Sequence, residues 1–280
     1  MNEALERRVI AIAEARELDV FAALLERRGA LVLRYPLVRI IDAPDPLPAL
    51  EWIRSAAGGG LDDLILLTGE GLRRIMSCID RHQPGLRAAF LAELQQMRKI
   101  TRGPKPARAL RELGLASDLP AAVPTSAGVI DALRGLDLQR RRVGVQLYGA
   151  EPNLPLIEFL HAAGAQVATV APYLYADGAS DAEVHQLIER MCAGGIDAIA
   201  FTSKAQVERL FRAAPAERVR AALAATSVAA VGPVVSETLV SHGVAVDAMP
   251  ESSWFMKPLT ASLSELLTGS NSRPLGDIEV

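Results

Sequence analysis

Apolar and polar positions along the chain follow two alternating patterns, short runs of consecutive apolar residues and longer stretches with a helical period. The runs Arg8–Glu14, Asp62–Thr68 and Arg141–Gly149 predict buried strands, and Leu18–Ala30 predicts an amphipathic helix that ends near Gly29. Short apolar strands that alternate with helices are typical of parallel sheets covered by helices. The pattern therefore predicts an α/β fold with mainly parallel sheets.

Segments of the first half of the chain recur in the second half in the same order. The matching pairs are Gly29 with Gly164, Asp63 with Asp197, Thr68 with Thr202 and Gly103 with Gly232, which lie 135, 134, 134 and 129 positions apart. A near-constant offset over several blocks indicates an internal repeat. We therefore expect two structurally similar α/β units, with ligands bound outside the carboxyl ends of their strands.

Composition narrows the classes of function. Aromatic residues make up only 4% of the 280 residues and the formal net charge is −3, which argues against a nucleic-acid-binding surface. No apolar run reaches the length of a membrane span, and the polar, acidic start is unlike a signal peptide. Cys78 and Cys192 stand apart from other metal-ligating residues and are expected to be free thiols. We expect a cytoplasmic protein without a metal site.

The turn Thr202-Ser203-Lys204 lies where a predicted strand passes into a helix, and it allows two interpretations. The hydroxyl groups can cap the helix by accepting hydrogen bonds from its first N–H groups. Alternatively, the same N–H groups can bind an anion at the helix N-terminus. Four such turns, two in each half, would suit a ligand with several carboxylates or phosphates. None of them has the sequence of a nucleotide-binding loop.

Three segments of the second half carry a resemblance to a known family. The segments are "GAQVATVAPYLYA" (164–176), "IDAIAFTSKAQVERL" (196–210) and "VAAVGPVVSETLVSHGVAV" (228–246). Their order and spacing resemble the uroporphyrinogen-III synthase family. The resemblance covers about residues 8 to 267 and is weaker in the first half.

The resemblance implies a fold that periodicity alone does not give. It implies two similar flavodoxin-like or Rossmann-like domains with parallel sheets, joined by a two-stranded antiparallel crossover ladder. Residues 1–36 and 176–268 would form a discontinuous domain, 37–175 the second domain, and 269–280 a polar tail. The crossovers are expected near Leu33–Ala43 and Val170–Asp177.

The resemblance also implies a reaction. Members of the family cyclise the linear tetrapyrrole hydroxymethylbilane in an interdomain cleft, with loss of water and inversion of ring D, as a step of haem biosynthesis. The activity would be that of a cofactor-free hydro-lyase. An enzyme of this kind has to fold the substrate, hold its carboxylates and assist departure of its hydroxyl group, so that positioning accounts for much of the catalysis.

Site residues are carried over from the family position by position. Tyr173 matches the tyrosine that helps the hydroxyl leave, although a packing role is an alternative. The substrate-binding set is Thr202, Ser203, Lys204, Gly232, Pro233, Ser236, Thr68, Gly69, Arg102, Gly103, Lys105, Tyr148 and Gly149.

Several positions depart from the family pattern. Val234 and Val235 stand where many members have a hydroxyl residue, and Glu70 and Glu151 add negative charge near the expected carboxylate sites. These departures leave a second hypothesis open, a family member that binds a tetrapyrrole or another anion as a regulatory sensor. For the enzyme we expect a monomer that binds its small-molecule substrate and contacts hydroxymethylbilane synthase transiently.

Overall fold

The computed structural model describes residues 4–149 and 151–269. The strands are β1 (Val9–Ile12), β2 (Leu31–Arg34), β3 (Val38–Asp42), β4 (Asp63–Leu66), β5 (Arg98–Thr101), β6 (Leu119–Pro120), β7 (Arg142–Gln146), β8 (Gln166–Val170), β9 (Tyr173–Asp177), β10 (Ala198–Phe201) and β11 (Ser227–Ala230). The prediction of a polar tail over 269–280 falls outside the described residues, apart from Gly269.

Helices follow nearly every strand. They are α1 (Leu18–Glu26), α2 (Leu47–Ala57), α3 (Gly69–His82), α4 (Arg87–Gln96), α5 (Pro104–Glu112), α6 (Ser126–Leu133), α7 (Leu154–Ala162), α8 (Asp181–Cys192), α9 (Lys204–Ala213), α10 (Ala216–Ala224), α11 (Pro233–Ser241) and α12 (Met256–Gly269), with a 3-10 turn at Pro84–Leu86. Among the described residues, no helix is long and apolar enough to span a membrane.

The chain divides into two compact units, and the first of them uses both ends of the chain. Unit 1 comprises Met1–Arg39 and Asp177–Val280, and unit 2 comprises Ile40–Ala176. The sheet of unit 1 has the strand order β11-β10-β1-β2, and all its neighbouring strands are parallel. Every residue of β1 and β10 is buried, which is expected of parallel strands covered on both faces.

Unit 2 repeats this arrangement with one further strand. Its parallel sheet has the order β6-β5-β4-β7-β8. Strands β7 and β8 correspond to β1 and β2, and β4 and β5 correspond to β10 and β11, so the sequence repeat matches a repeat of strand order. A parallel bridge between Ala229 and Ala248 in unit 1 takes the place of β6.

Strands β3 and β9 form a separate two-stranded antiparallel sheet at the points where the chain passes between the units. Two parallel sheets and a crossover ladder are the fold class predicted from the sequence, which is therefore confirmed. Both strands lie inside the segments expected for the crossovers, Leu33–Ala43 and Val170–Asp177.

Each sheet has one position where the chain reverses its direction of winding. In unit 2 the chain proceeds from β4 outward to β5 and β6, and later from β7 outward to β8, so the switch lies between β4 and β7. In unit 1 it lies between β10 and β1. Ligands of open α/β sheets bind outside the carboxyl ends of the strands at such switch points. The turn that begins at Thr202 follows β10 directly, and the turn that begins at Thr68 follows β4 after one residue, Leu67.

Candidate active site

Tyr173, the predicted catalytic residue, forms a hydrogen bond at the switch point of unit 2. Its hydroxyl oxygen lies 3.2 Å from Oγ1 of Thr68, and either group can donate. Thr68 is the N-cap of α3, and its hydroxyl accepts a hydrogen bond from the N–H of Gly71 at 3.0 Å. Tyr173 begins β9 and has no exposed surface. A substrate can therefore contact its hydroxyl only after the groups that cover it move.

The surroundings of Tyr173 hold its phenol in the protonated form. Burial raises the pKa of Tyr173 well above its usual value of 10.0, and the neighbouring Tyr175 raises it further, while the Thr68 hydrogen bond and the charge of Arg102 act in the opposite direction. The two tyrosine rings meet edge to face with their centroids 5.6 Å apart. Tyr173 is thus a hydrogen-bond donor over the whole physiological pH range, close to groups that favour a partial negative charge on its oxygen.

Arg102 and Tyr148 form a second feature at the same edge of the unit 2 sheet. The guanidinium carbon of Arg102 lies 4.6 Å from the centroid of the Tyr148 ring, within the range of a cation–π contact. Gly149 adopts a left-handed backbone conformation with φ of +58°, and a Cβ at this position would lie 2.9 Å from the Tyr175 ring. The glycine allows the loop after β7 to approach β9 closely.

The remaining predicted residues of unit 2 lie around the first turns of α3 and α5. Gly69 is the first residue of α3, and a Cβ there would lie 2.5 Å from the carbonyl oxygen of Lys105, so the two helix starts are in backbone contact. Gly103 is the N-cap of α5 and packs against Pro124. The side chain of Lys105 is on the protein surface. The structure thus groups Thr68, Gly69, Gly103 and Lys105 around two adjacent helix N-termini.

In unit 1 the corresponding turn directs its donors to protein acceptors. The backbone N–H groups of Thr202 and Ser203 donate to Oε1 of Gln206 at 2.7 and 3.2 Å. The hydroxyl of Thr202 donates to the carboxylate of Glu14 at the end of β1. The side chain of Gln206 thus accepts the N–H groups of this turn, and a carboxylate ligand would meet the negative charge of Glu14.

The other predicted residues of unit 1 lie on α9 and α11. Lys204 begins α9, and Gly232 is the N-cap of α11, with Pro233 as its first residue. A Cβ on Gly232 would lie 2.6 Å from Cδ1 of Trp254, so the indole ring covers this turn. The N–H of Ser236 donates to the carbonyl of Gly232 at 3.1 Å, within the first turn of the helix.

Glu70, which adds negative charge near the expected carboxylate sites, is paired. Its Oε1 accepts a hydrogen bond from Arg74 Nε at 2.7 Å, one helical turn further along α3. Arg74 also donates to Asp42 at the end of β3, and Arg81 donates to the other oxygen of Asp42 at 2.6 Å. The negative charge of Glu70 is therefore compensated by a network that joins α3 to β3.

Three polar residues in or near the two switch points were not predicted as site residues. Gln146 ends β7 and is fully buried, Glu14 follows β1, and Asn153 is the buried N-cap of α7 with a left-handed backbone, φ of 52°. Among the described residues, Nδ2 of Asn153 has no hydrogen-bond partner. Gln146 and Glu14 follow apolar strand patterns and contact partners far along the chain, so local sequence gives little indication of them. The buried amide of Asn153, which has no partner among the described residues, can be recognised only from the structure.

Comparison with known proteins finds a matching family model and similar proteins. Residues 19–259 match the family model described as uroporphyrinogen-III synthase HemD. A mutant uroporphyrinogen III synthase from the extremely thermophilic bacterium Thermus thermophilus, solved by crystallography, is 28% identical, with a TM-score of 0.76 over 94% of this chain and 100% of that one. An uncharacterized protein of Bacillus subtilis, YjjA, is 27% identical over 90% of this chain and 93% of its own length.

A third relative matches a shorter part of the chain. A putative uroporphyrinogen-III synthase of Methanothermobacter thermautotrophicus is 31% identical over 165 residues, 58% of this chain and 64% of that protein. The family match extends over both units and includes Thr68, Tyr173 and Thr202 within its bounds. The chain belongs to the uroporphyrinogen-III synthase family.

Proposed function

We propose that the protein converts hydroxymethylbilane to uroporphyrinogen III with release of one water molecule. The observation that carries this proposal is the hydrogen bond between Tyr173 and Thr68 at the unit 2 switch point, with Arg102 close enough to influence the phenol. Membership of the family supports the same reaction, since the pathway to tetrapyrroles is the one in which its named members act.

Departure of the substrate hydroxyl is the step in which Tyr173 would act. The carbon–oxygen bond breaks, the oxygen leaves as water after gaining a proton, and the pyrrole system is left as an azafulvene cation. The cation is attacked by a carbon of the ring at the other end, a spiro intermediate forms and rearranges, and loss of a ring proton restores aromaticity. That proton balances the one taken up by the leaving hydroxyl.

The raised pKa of Tyr173 indicates how this residue would assist departure of the substrate hydroxyl. A phenol that strongly resists ionisation donates a hydrogen bond to the leaving oxygen and lends its proton only transiently. A hydrogen bond from Thr68 and the charge of Arg102 stabilise the oxygen while it carries negative charge. We infer that Tyr173 stabilises the departing hydroxyl and does not persist as a phenolate.

The carboxylates of the substrate would be held mainly by unit 2. The switch point there contains the neutral Gln146 and has Arg102 nearby, and the starts of α3 and α5 lie beside each other. In unit 1 the equivalent place is occupied by the carboxylate of Glu14. A ligand with several negative charges is favoured where cations and helix N-termini meet and disfavoured beside an anionic side chain. The role of the interdomain cleft, the monomeric state and the compartment remain predictions.

Isomer analysis of the product tests this function. Hydroxymethylbilane generated in place by its synthase is supplied to the protein, and the porphyrins are separated after oxidation. We expect the type III isomer from the unmodified protein and a reduction of about 10²-fold in its rate of formation for Tyr173→Phe. Tyr35→Phe, a change in a partly buried tyrosine of unit 1, is the matched control. Formation of the spontaneous type I isomer alone would contradict the proposal and favour the sensor hypothesis.

A further inference from the structure

Gln146, the last residue of β7, has a fully buried side chain at the switch point of unit 2. Its Oε1 accepts a hydrogen bond from the backbone N–H of Thr68 at 3.0 Å, and its Nε2 donates to the carbonyl of Leu147. A backbone N–H can only donate and a carbonyl can only accept, so these two contacts fix which end of the carboxamide faces Thr68. The acceptor end of Gln146 is therefore directed at the residue that contacts Tyr173.

The hydroxyl of Thr68 has one proton and two acceptors for it. It lies 3.4 Å from Oε1 of Gln146 and 3.2 Å from the oxygen of Tyr173, and it already accepts the N–H of Gly71. When the Thr68 proton points to Gln146, the Tyr173 proton points to Thr68. When its proton points to Tyr173, the Tyr173 proton is directed away from Thr68 and is available to another acceptor.

Unit 1 contains a comparable glutamine, with no tyrosine in the corresponding position among the residues that the structure describes. Gln206 is buried, and its Oε1 accepts the N–H of Thr202 at 2.7 Å, as Gln146 does for Thr68. The hydroxyl of Thr202 donates to Glu14. Both glutamines thus hold the backbone of a turn, and the hydrogen bond between Thr68 and Tyr173 distinguishes the turn that Gln146 holds.

We propose that Gln146 is a positioning residue that, through Thr68, controls the direction of the Tyr173 hydroxyl. It keeps the Thr68 oxygen beside Tyr173. It also provides a second acceptor, so that the Thr68 proton can move between Gln146 and Tyr173. As the substrate hydroxyl departs, the Thr68 proton turns from Gln146 to Tyr173 and stabilises the negative charge that develops there. This inference rests on the proposed cyclisation for its catalytic meaning.

The first test compares Gln146→Met with Gln206→Met. We expect kcat for type III formation to fall by about 10- to 100-fold in Gln146→Met with little change in KM, because the hydroxyl of Tyr173 is no longer directed. The second readout is the titration of Tyr173, followed as the ultraviolet difference between each variant and its Tyr173→Phe derivative. Without Gln146 the backbone N–H of Thr68 loses its acceptor and the Thr68 hydroxyl is no longer held beside Tyr173, so the titration should move to higher pH, since the Thr68 hydrogen bond lowers the pKa of Tyr173. In Gln206→Met it should not move.

A conservative variant keeps the test meaningful if Gln146→Met does not fold. In Gln146→Glu, the protonated carboxyl can accept from Thr68 and donate to the Leu147 carbonyl, as the carboxamide does. We therefore expect activity to recover at low pH and to fall as the introduced carboxyl ionises, a limb absent from the unmodified protein. Tyr175 and Arg102, the other groups that influence Tyr173, are unchanged in both proteins.

The possible results separate this inference from the proposed function. A wild-type kcat and an unshifted Tyr173 titration in Gln146→Met would overturn it, as would activity of Gln146→Glu with the pH dependence of the unmodified protein. Absence of type III isomer from the unmodified protein would instead overturn the proposed function. The Tyr173 titration would still show whether Gln146 acts on the tyrosine.

Discussion

At the residue scale, the missing Cβ of Gly71 leaves the space in which the side chain of Gln146 lies. A Cβ on Gly71 would be 1.9 Å from Cδ of Gln146 and 2.3 Å from its Oε1. Gly71 is in the first turn of α3, where a glycine has no conformational advantage over alanine. The residue is therefore explained by the space that it leaves for the carboxamide.

Gly71→Ala should destabilise the protein because the added methyl group and the Gln146 carboxamide cannot occupy the same space. We expect a loss of about 1–3 kcal/mol in the free energy of unfolding, the usual range for overpacking a buried site. Urea denaturation measures it. Gly85→Ala is the control, since a Cβ there would meet no atom within 4 Å, and an equal loss in both variants would contradict this account.

The candidate site shows which contacts a sequence can and cannot reveal. Thr68 and Thr202 were predicted because turns between a strand and a helix have a local sequence pattern. Gln146 contacts Thr68 from 78 positions away, and Glu14 contacts Thr202 from 188 positions away. Such contacts depend on the order of strands in a sheet. Glu70 differs in this respect, since its partner Arg74 lies four residues along the same helix, a spacing at which opposite charges pair.

At the element scale, α3 and α9 hold the two crossover strands in similar ways. Arg74 of α3 binds Asp42, the last residue of β3, and Arg209 of α9 binds Asp177, the last residue of β9. The two arginines and the two aspartates are each 135 positions apart, the offset of the sequence repeat. Arg209 is almost fully buried and also binds Asp181. Each crossover strand is thus fixed at its last residue to a helix of the unit that the chain enters there.

Arg74→Met should weaken substrate binding by removing the cation that pairs with Glu70 near the proposed carboxylate sites. We expect KM for hydroxymethylbilane to rise about five- to tenfold, an interaction on the order of 1 kcal/mol. Adding Glu70→Gln should return KM towards the original value, and this rescue would distinguish charge from a loss of packing. Arg87→Met, which breaks an exposed pair with Asp80, is the control. A KM that stays raised in the double variant would contradict the charge argument.

Asp62, just before β4, and Arg142, the first residue of β7, form a pH-dependent interaction at the N-terminal ends of these strands. Hydrogen bonds from the side chain and backbone of Arg142 lower the pKa of Asp62 from 3.8 to about 2. The folded protein thus binds the Asp62 proton more weakly than the unfolded chain does. The resulting stabilisation is complete above about pH 4 and is lost as the pH falls towards 2.

Asp62→Asn should therefore reduce the free energy of unfolding at neutral pH, with the difference from the unmodified protein disappearing between about pH 4 and pH 2. Denaturant titrations over this pH range measure it. Asp131→Asn, which changes an exposed aspartate paired with Arg134, should give a small difference. A difference for Asp62→Asn that persists below pH 2 would show that the ionised carboxylate is not its source.

At the scale of the whole molecule, the fold class was predictable and the assembly of unit 1 was not. Buried strand patterns and the repeat can be recognised in short segments of the sequence, and together they predict parallel sheets. The pairing of β1 with β10 joins residues that are 188 positions apart, such as Ile10 and Ala198, and no periodicity indicates it. That feature was expected only from the resemblance to the family. The sequence pattern does not predict helix α2, since Pro46 and Pro48 at its start obscure the helical period.

The split composition of unit 1 has a consequence for synthesis on the ribosome. Unit 2 is continuous in the chain and is complete once Ala176 has emerged, whereas β1 acquires its neighbour β10 only after about 20 further residues. At elongation rates of about 5–20 residues per second, β1 remains for some further seconds with one unpaired edge after unit 2 is complete. An open strand edge is prone to pair with other chains. A pause in translation over 177–200 would prolong the period in which nascent chains are most exposed to aggregation and to chaperones.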